Sequence, residues 1–255
     1  MLSARFLPGA SLSDGEAPVT GPASQRHPLA LLAVLASYPR REVRRDKLLS
    51  LLWPERDTHA ARHLLSEALY ALRHVGGKAA IVSVGDGVAL EKHYVWTDVA
   101  AFRQAHASGD LISAVEVYQG PFLDGFHLDA SPEFEDWQHE RRQYFDGMYE
   151  ESLYALADAA EEEGDAMAAA RWLRLRLAQS PFSSHATHRL MRMLVRTGDR
   201  AEALLVARGH ADRLERELGI APSPCVSNLQ EALASGGDLD PSLLKVCGVD
   251  DPRCS

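Results

Sequence analysis

Between residues 58 and 75 apolar side chains return every three or four positions, at Ala61, Leu64, Leu65, Ala68, Leu69 and Leu72. At 3.6 residues per turn these share one face of a helix. His59, Arg62, His63, Ser66, Glu67, Tyr70, Arg73 and His74 fall on the other face. The spacing predicts an amphipathic helix over 58–75, capped by Asp57 or Thr58 and closed by Gly76-Gly77. Ahead of it, RHPLALLAVLASY (26–38) predicts a buried helix with Pro28 in its first turn and Pro39 as its stop. A second helix is expected over 45–52, ending at Trp53-Pro54. Behind the long helix, Ile81–Val84 and Val88–Leu90 flank Gly85-Asp86-Gly87, the pattern of a hairpin. Residues 1–25, with turns at Pro8-Gly9 and Asp14-Gly15, predict two or three short strands. Three helices followed by a hairpin wing is the order of a winged helix-turn-helix. In it Trp53, Leu49 and the Leu29–Leu35 helix would floor the helix of residues 58–75.

From Asp98 to about residue 234 the pattern is helical throughout. Gly-Asp pairs stand at 109–110, 164–165 and 198–199, and the last two lie 34 residues apart. That is the period of a tetratricopeptide unit, one helix-turn-helix pair. In this register Ala169 aligns with Ala203, small residues where paired helices approach. Asp199 and Glu202 have capping-box spacing. Two units are fewer than a free solenoid needs, so flanking helices are expected to complete the stack. The fold class is therefore mainly α: a winged helix-turn-helix over 1–97, an all-α TPR-like domain over 98–235, and a loose polar tail over 236–255.

Charge divides along the same line. The chain carries net −9, yet residues 1–96 hold 12 Lys and Arg against 9 Asp and Glu, and residues 97–255 hold 15 against 27. A basic first third and an acidic remainder suggest modules with different partners. Arg40, Arg41, Arg44, Arg45 and Lys47 crowd one short stretch, the kind of cluster that phosphate neutralisation requires. The candidate DNA-contacting residues are Arg44, Arg45 and Lys47 for the backbone, and Arg62, His63, Ser66, Tyr70, Arg73 and His74 on the long helix for bases or phosphates. The helix pattern alone serves equally an ordinary amphipathic helix with a solvated face, and the hairpin could merely close a small core.

Other chemistry finds little support. His59 and His63 have i, i+4 spacing, but the glutamate of H-E-x-x-H and a third ligand are missing. Cys225, Cys247 and Cys254 make neither a disulfide framework nor a zinc spacing. No phosphate-binding glycine loop, nucleophile elbow or paired-carboxylate site is present, so neither catalysis nor a cofactor is expected. No apolar run is long enough for a membrane span, and no secretory signal is evident at the N-terminus, which points to the cytoplasm.

These residues resemble the SARP-type antibiotic regulatory proteins, bacterial transcriptional activators. That family joins an OmpR-type winged helix to a TPR-like bacterial transcriptional activator domain. RRDKLLSLLWP (44–54) matches the positioning helix, and ARHLLSEALYALR (61–73) matches the recognition helix. WTDVAAF (96–102) matches the junction between modules. YQGPFLDGF (118–126) and LERELGIAPSP (214–224) match two further family elements. The chain departs from the pattern at Tyr70-Ala71, where Ser-Arg is usual, at Glu67, and at Arg44, where Ser or Thr caps the positioning helix. Neither a receiver domain nor a nucleotide-switch domain is expected within these residues. The resemblance implies a DNA-binding activator that contacts RNA polymerase and self-associates on repeated sites, without an enzymatic step. The alternative is a helical-repeat interaction or sensor module whose winged helix binds protein rather than DNA.

Overall fold

A computed structural model describes residues 2–38 and 42–236. Arg40, Arg41, Pro39, Cys247, Cys254 and the tail beyond Gly236 lie outside the described residues. The chain gathers into two compact units that divide between Tyr149 and Glu150.

The first unit opens with β1 (Leu2–Arg5), β2 (Ser11–Asp14) and β3 (Ala17–Pro18), turning where Asp14-Gly15 was expected to turn the chain. A short 3-10 turn (Pro22–Ser24) leads into α1 (Arg26–Ser37), buried from Pro28 to Ser37. β4 (Val43–Arg44) precedes α2 (Arg45–Leu52), and α3 runs Thr58–Gly76. Asp57 caps α3 by accepting from the backbone N–H of His59 and Ala60, which lowers its carboxyl below the ordinary range. Ala61, Leu65, Ala68, Leu69 and Leu72 are buried, as their period requires, Leu64 at the edge of the face is half-buried, and α3 packs on α1 and α2. β5 (Ile81–Val84) and β6 (Gly87–Leu90) form the hairpin wing, and β4 joins it in the order β4-β6-β5. Gly87 is a close approach: a Cβ there would stand 2.6 Å from the Glu42 Cγ.

Two elements exceed the local pattern. β7 (Val95–Thr97) pairs in parallel with β1, Leu2 opposite Val95, completing a sheet of order β3-β2-β1-β7. β4 has only two residues and owes its pairing to β6. Both depend on partners distant in sequence.

The junction residue Asp98 is fully buried at the start of α4 (Asp98–Ser108). Its carboxylate accepts from the backbone N–H of Phe6 at 2.9 and 2.8 Å, of Leu7 at 2.8 Å and of Val99 at 2.8 Å. Burial pushes its carboxyl above the ordinary range, while these amides pull it back. Thr97 caps the same helix through Ala100 N–H, and Phe102 is wholly buried. One acid therefore ties the first sheet to the first helix after the junction. α5 (Leu111–Val117) follows, and then the YQGPFLDGF element, which the first strand also holds: Leu123 N–H donates to Phe6 O at 2.9 Å. At Gly120 a Cβ would meet the Pro8 Cβ at 3.1 Å, so any side chain here would press on the proline ring. Tyr118 hydrogen-bonds Asp146 and stacks on Tyr149 at 4.1 Å. α6 (Pro132–Glu162) begins here.

The second unit contains the end of α6, then α7 (Ala166–Gln179), α8 (Ser184–Arg196), α9 (Arg200–Leu218) and α10 (Pro224–Ser235). Each Gly-Asp pair is an interhelical turn. Gly109, Gly164 and Gly198 take φ of 78°, 81° and 83°, and Asp110, Asp165 and Asp199 each cap the next helix. Ala169 and Ala203, the aligned small residues, are both wholly buried. α10 packs on α8 and α9 and covers the end of the repeat. LERELGIAPSP is a helix stop: Gly219 at φ 67° lets Ile220 N–H return to Leu214 O, and Pro224 opens α10.

Candidate nucleic-acid interface

The exposed face of α3 is divided between two neighbours. On the wing side, Arg73 donates from Nε to Ile81 O at 2.7 Å and from Nη2 to Ser83 Oγ at 3.2 Å. Arg45, from the first turn of α2, donates Nη2 to the same Ser83 Oγ at 3.0 Å. Two guanidinium groups thus converge on one exposed hydroxyl. Among the described residues neither is paired with a carboxylate. The hydroxyl accepts twice and keeps its own hydrogen to give. Such a cluster holds only donors and net positive charge, which suits a phosphate oxygen. Val84 is exposed beside it at the wing tip, where Gly85 turns at φ 54°.

The other expected residues are placed as follows. Arg62 is exposed and Ser66 gives its hydroxyl hydrogen to Arg62 O at 2.8 Å, leaving lone pairs free to accept. Tyr70 is 74% exposed and lies against His74, ring centroids 6.2 Å apart. His63 Nε2 stands 3.7 Å from Glu67 Oε1. Arg44 is exposed in β4 at the N-cap of α2 and makes no side-chain cap bond. Lys47 is exposed on α2 and donates to the Tyr38 hydroxyl at 3.3 Å. The structure brings Arg45 and Arg73 together and leaves Lys47 apart from them. Ser83 escaped the sequence reading because its role arises only when wing and helix meet.

On its second side α3 borders a groove of about 1070 Å³. His63, Glu67, Tyr70 and His74 line it from α3, and Trp53, Pro54 and His27 from the floor. His27 stacks on Trp53 at 5.2 Å, and burial holds its imidazole below the ordinary range. Glu55, Glu67 and Asp129 add carboxylates to the walls. The two flanks of one helix therefore differ in chemistry: two arginines without an ion pair by the wing, aromatics with carboxylates along the groove. Among the described residues no cluster of three or more metal-ligating side chains exists, and no helix is long and apolar enough to cross a membrane.

A winged helix with a donor cluster at its wing is thus followed by stacked helical pairs. Residues 86–234 match the bacterial transcriptional activator domain, and the chain belongs to that family of regulators. In the fold a winged helix precedes that domain. Among solved structures, Mycobacterium tuberculosis EmbR in complex with a low-affinity phosphopeptide has a similar fold. Its TM-score is 0.63 at 22% identity, over 95% of this chain and 68% of that one. A comparison with curated proteins finds no match.

Proposed function

We propose that this chain activates transcription by binding duplex DNA with α3 in the major groove and the wing on the backbone. The observation that carries the reading is the meeting of Arg45 and Arg73 at Ser83, without a carboxylate, beside the exposed polar face of α3. Arg62, His63, Ser66, Tyr70 and His74 face outward for base edges and phosphates, and Arg44 and Lys47 supply further backbone charge. The helical module offers RNA polymerase a protein surface, and two copies pair on repeated sites. The reaction is binding; no chemical step is involved. Selection of bound sequences from random duplexes by the full chain tests this. An enriched motif whose footprint is lost in Arg45→Gln/Arg73→Gln supports it. Failure to enrich any motif, with the chain folded, rejects it.

A second reading, protein binding by the winged helix, is favoured by the aromatic, carboxylate-bearing groove along α3. The two separate by salt: DNA affinity falls steeply as salt rises, whereas contact with apolar groove walls does not.

A further inference from the structure

A second donor cluster lies elsewhere in the first unit, around two tyrosines. Tyr38, at the end of α1, accepts from Lys47 Nζ at 3.3 Å and from Trp137 Nε1 at 3.2 Å. The Lys47 ammonium stands 4.8 Å from the centroid of the same ring. The Arg141 guanidinium lies 5.8 Å from the Tyr38 ring and 5.4 Å from the Tyr144 ring. Arg103 is 5.8 Å from Tyr144 and gives one hydrogen bond, to Ser37 O at 2.9 Å. Three cations from α2, α4 and α6 thus share two rings.

What the cluster lacks is an acceptor. Among the described residues none of the three cations is paired with a carboxylate. Arg141 Nε is buried with no partner. The Tyr38 hydroxyl accepts twice, and among the described residues its own hydrogen has no acceptor. Cation–π contact offsets part of the cost of gathering like charges and engages the faces of the guanidinium groups, not their in-plane N–H donors. The arrangement repeats the Ser83 cluster: one hydroxyl, doubly donated to, among unpaired cations.

We propose that Lys47, Arg103 and Arg141, held on Tyr38 and Tyr144, form a second phosphate-binding site, and that its occupant is the backbone of the duplex bound by α3. The site rests on the DNA-binding reading, and it assigns part of the duplex contact to helices beyond the junction. Continuity with the wing supports the backbone as occupant. Lys47 stands in the same first turn of α2 as Arg45, whose backbone N–H donates to Asp86 O of the wing turn at 3.0 Å. The same turn of α2 thus supplies a cation to each cluster. Asp46, between the two cations in sequence, is exposed, and among the described residues it pairs with neither of them.

The test compares the full chain with Arg103→Gln/Arg141→Gln and with Arg103→Lys/Arg141→Lys on one selected duplex. The slope of log affinity against log salt is expected to fall by about two in the Gln variant, roughly one per lost phosphate contact, and to recover in the Lys variant. The Trp137 indole N–H resonance, identified by Trp137→Phe, is expected to move with the duplex and, at higher concentration, with inorganic phosphate. Both shifts should vanish in the Gln variant. An unchanged slope in a Gln variant that melts like wild type overturns the site while leaving the DNA reading intact. A resonance that moves with a polyglutamate peptide but not with phosphate or duplex also overturns it, in favour of an acidic protein partner. If the wild-type chain retains no duplex at all, the DNA reading itself fails and the backbone is lost as occupant.

Discussion

Arginines in the two units are used in opposite ways. In the second unit Arg176, Arg189 and Arg192 are buried and paired. Arg189 is 5% exposed and donates to Asp158 and Glu161, both at 2.6 Å. Arg192 Nη2 lies 3.8 Å from Glu161, and Arg176 bonds Glu150 at 3.0 Å. Arg176 and Arg189 also lie over the Tyr154 ring, at 5.1 and 5.7 Å. In the first unit Arg45, Arg73, Arg103 and Arg141 lack carboxylates, and backbone oxygens, hydroxyls and rings hold them instead. Paired arginines join helices. Arginines held in place but not neutralised remain able to bind an anion. Acidic residues are shared almost evenly, 19 in the first unit and 17 in the second, so the difference lies in where they stand and not in their number.

The largest expected effect lies in the paired set. Arg189→Ala leaves Glu161, itself only 12% exposed, with one distant partner. Breaking a buried pair costs about 3–5 kcal/mol. Hydrogen exchange should therefore accelerate across α6–α8, with duplex affinity little changed. Protection in α8 equal to wild type would show that these pairs do not hold the helices. Leu69→Ala is comparable in size but falls in α3. The residue is 3% exposed, and truncation should cost about 2–5 kcal/mol in thermal unfolding.

Smaller effects separate Arg62 from Arg73. Arg62→Ala removes an exposed cation and should weaken binding by about 1–3 kcal/mol with no change in melting. Arg73→Ala should weaken binding by a similar amount and also lower stability by about 1 kcal/mol, because its bond to Ile81 O ties the wing to α3. Equal melting temperatures for the two variants would contradict the wing tie.

Acid gives a mild test of the same division. Burial, the largest cause in each case, holds His27, His185 and His210 below the ordinary imidazole range. On unfolding they return to about 6.5, so the unfolded chain takes up protons first as pH falls. Their contribution is complete above about pH 6.5 and is lost as pH drops through the depressed values. Asp98 acts with opposite sign: its raised carboxyl favours the folded state below the ordinary carboxylate value, and that gain is lost as pH rises through the raised one. Two of the three imidazoles lie in the second unit. Amide protection there should fall more between pH 7 and pH 5 than in the first unit, and a larger loss in the first unit would reverse the assignment.

What the sequence made legible is what local rules govern. The period of α3, the Asp57 cap, the hairpin turn and the Gly-Asp turns all depend on neighbours within a few residues, and each lies where the pattern put it. The parallel pairing of β7 with β1, the Asp98 bonds to Phe6 and Leu7, and the meeting of Arg45 with Arg73 depend on contacts across tens of residues. No periodicity encodes those. The candidate site was accordingly legible as a helix face but not as a cluster. Arg73 and Arg45 were identified as cations, while Ser83, which joins them, and Tyr38, which gathers Lys47 with Arg141, came only from the fold.

The central claim is that unpaired arginines at the wing bind the DNA backbone while paired arginines in the helical repeat do not. The salt dependence of duplex affinity tests it most directly, measured for the full chain, Arg45→Gln/Arg73→Gln and Arg176→Gln. The wing variant should lose about two from the slope of log affinity against log salt, and Arg176→Gln should keep the wild-type slope. A slope unchanged in the wing variant, or lost equally in Arg176→Gln, would contradict the account.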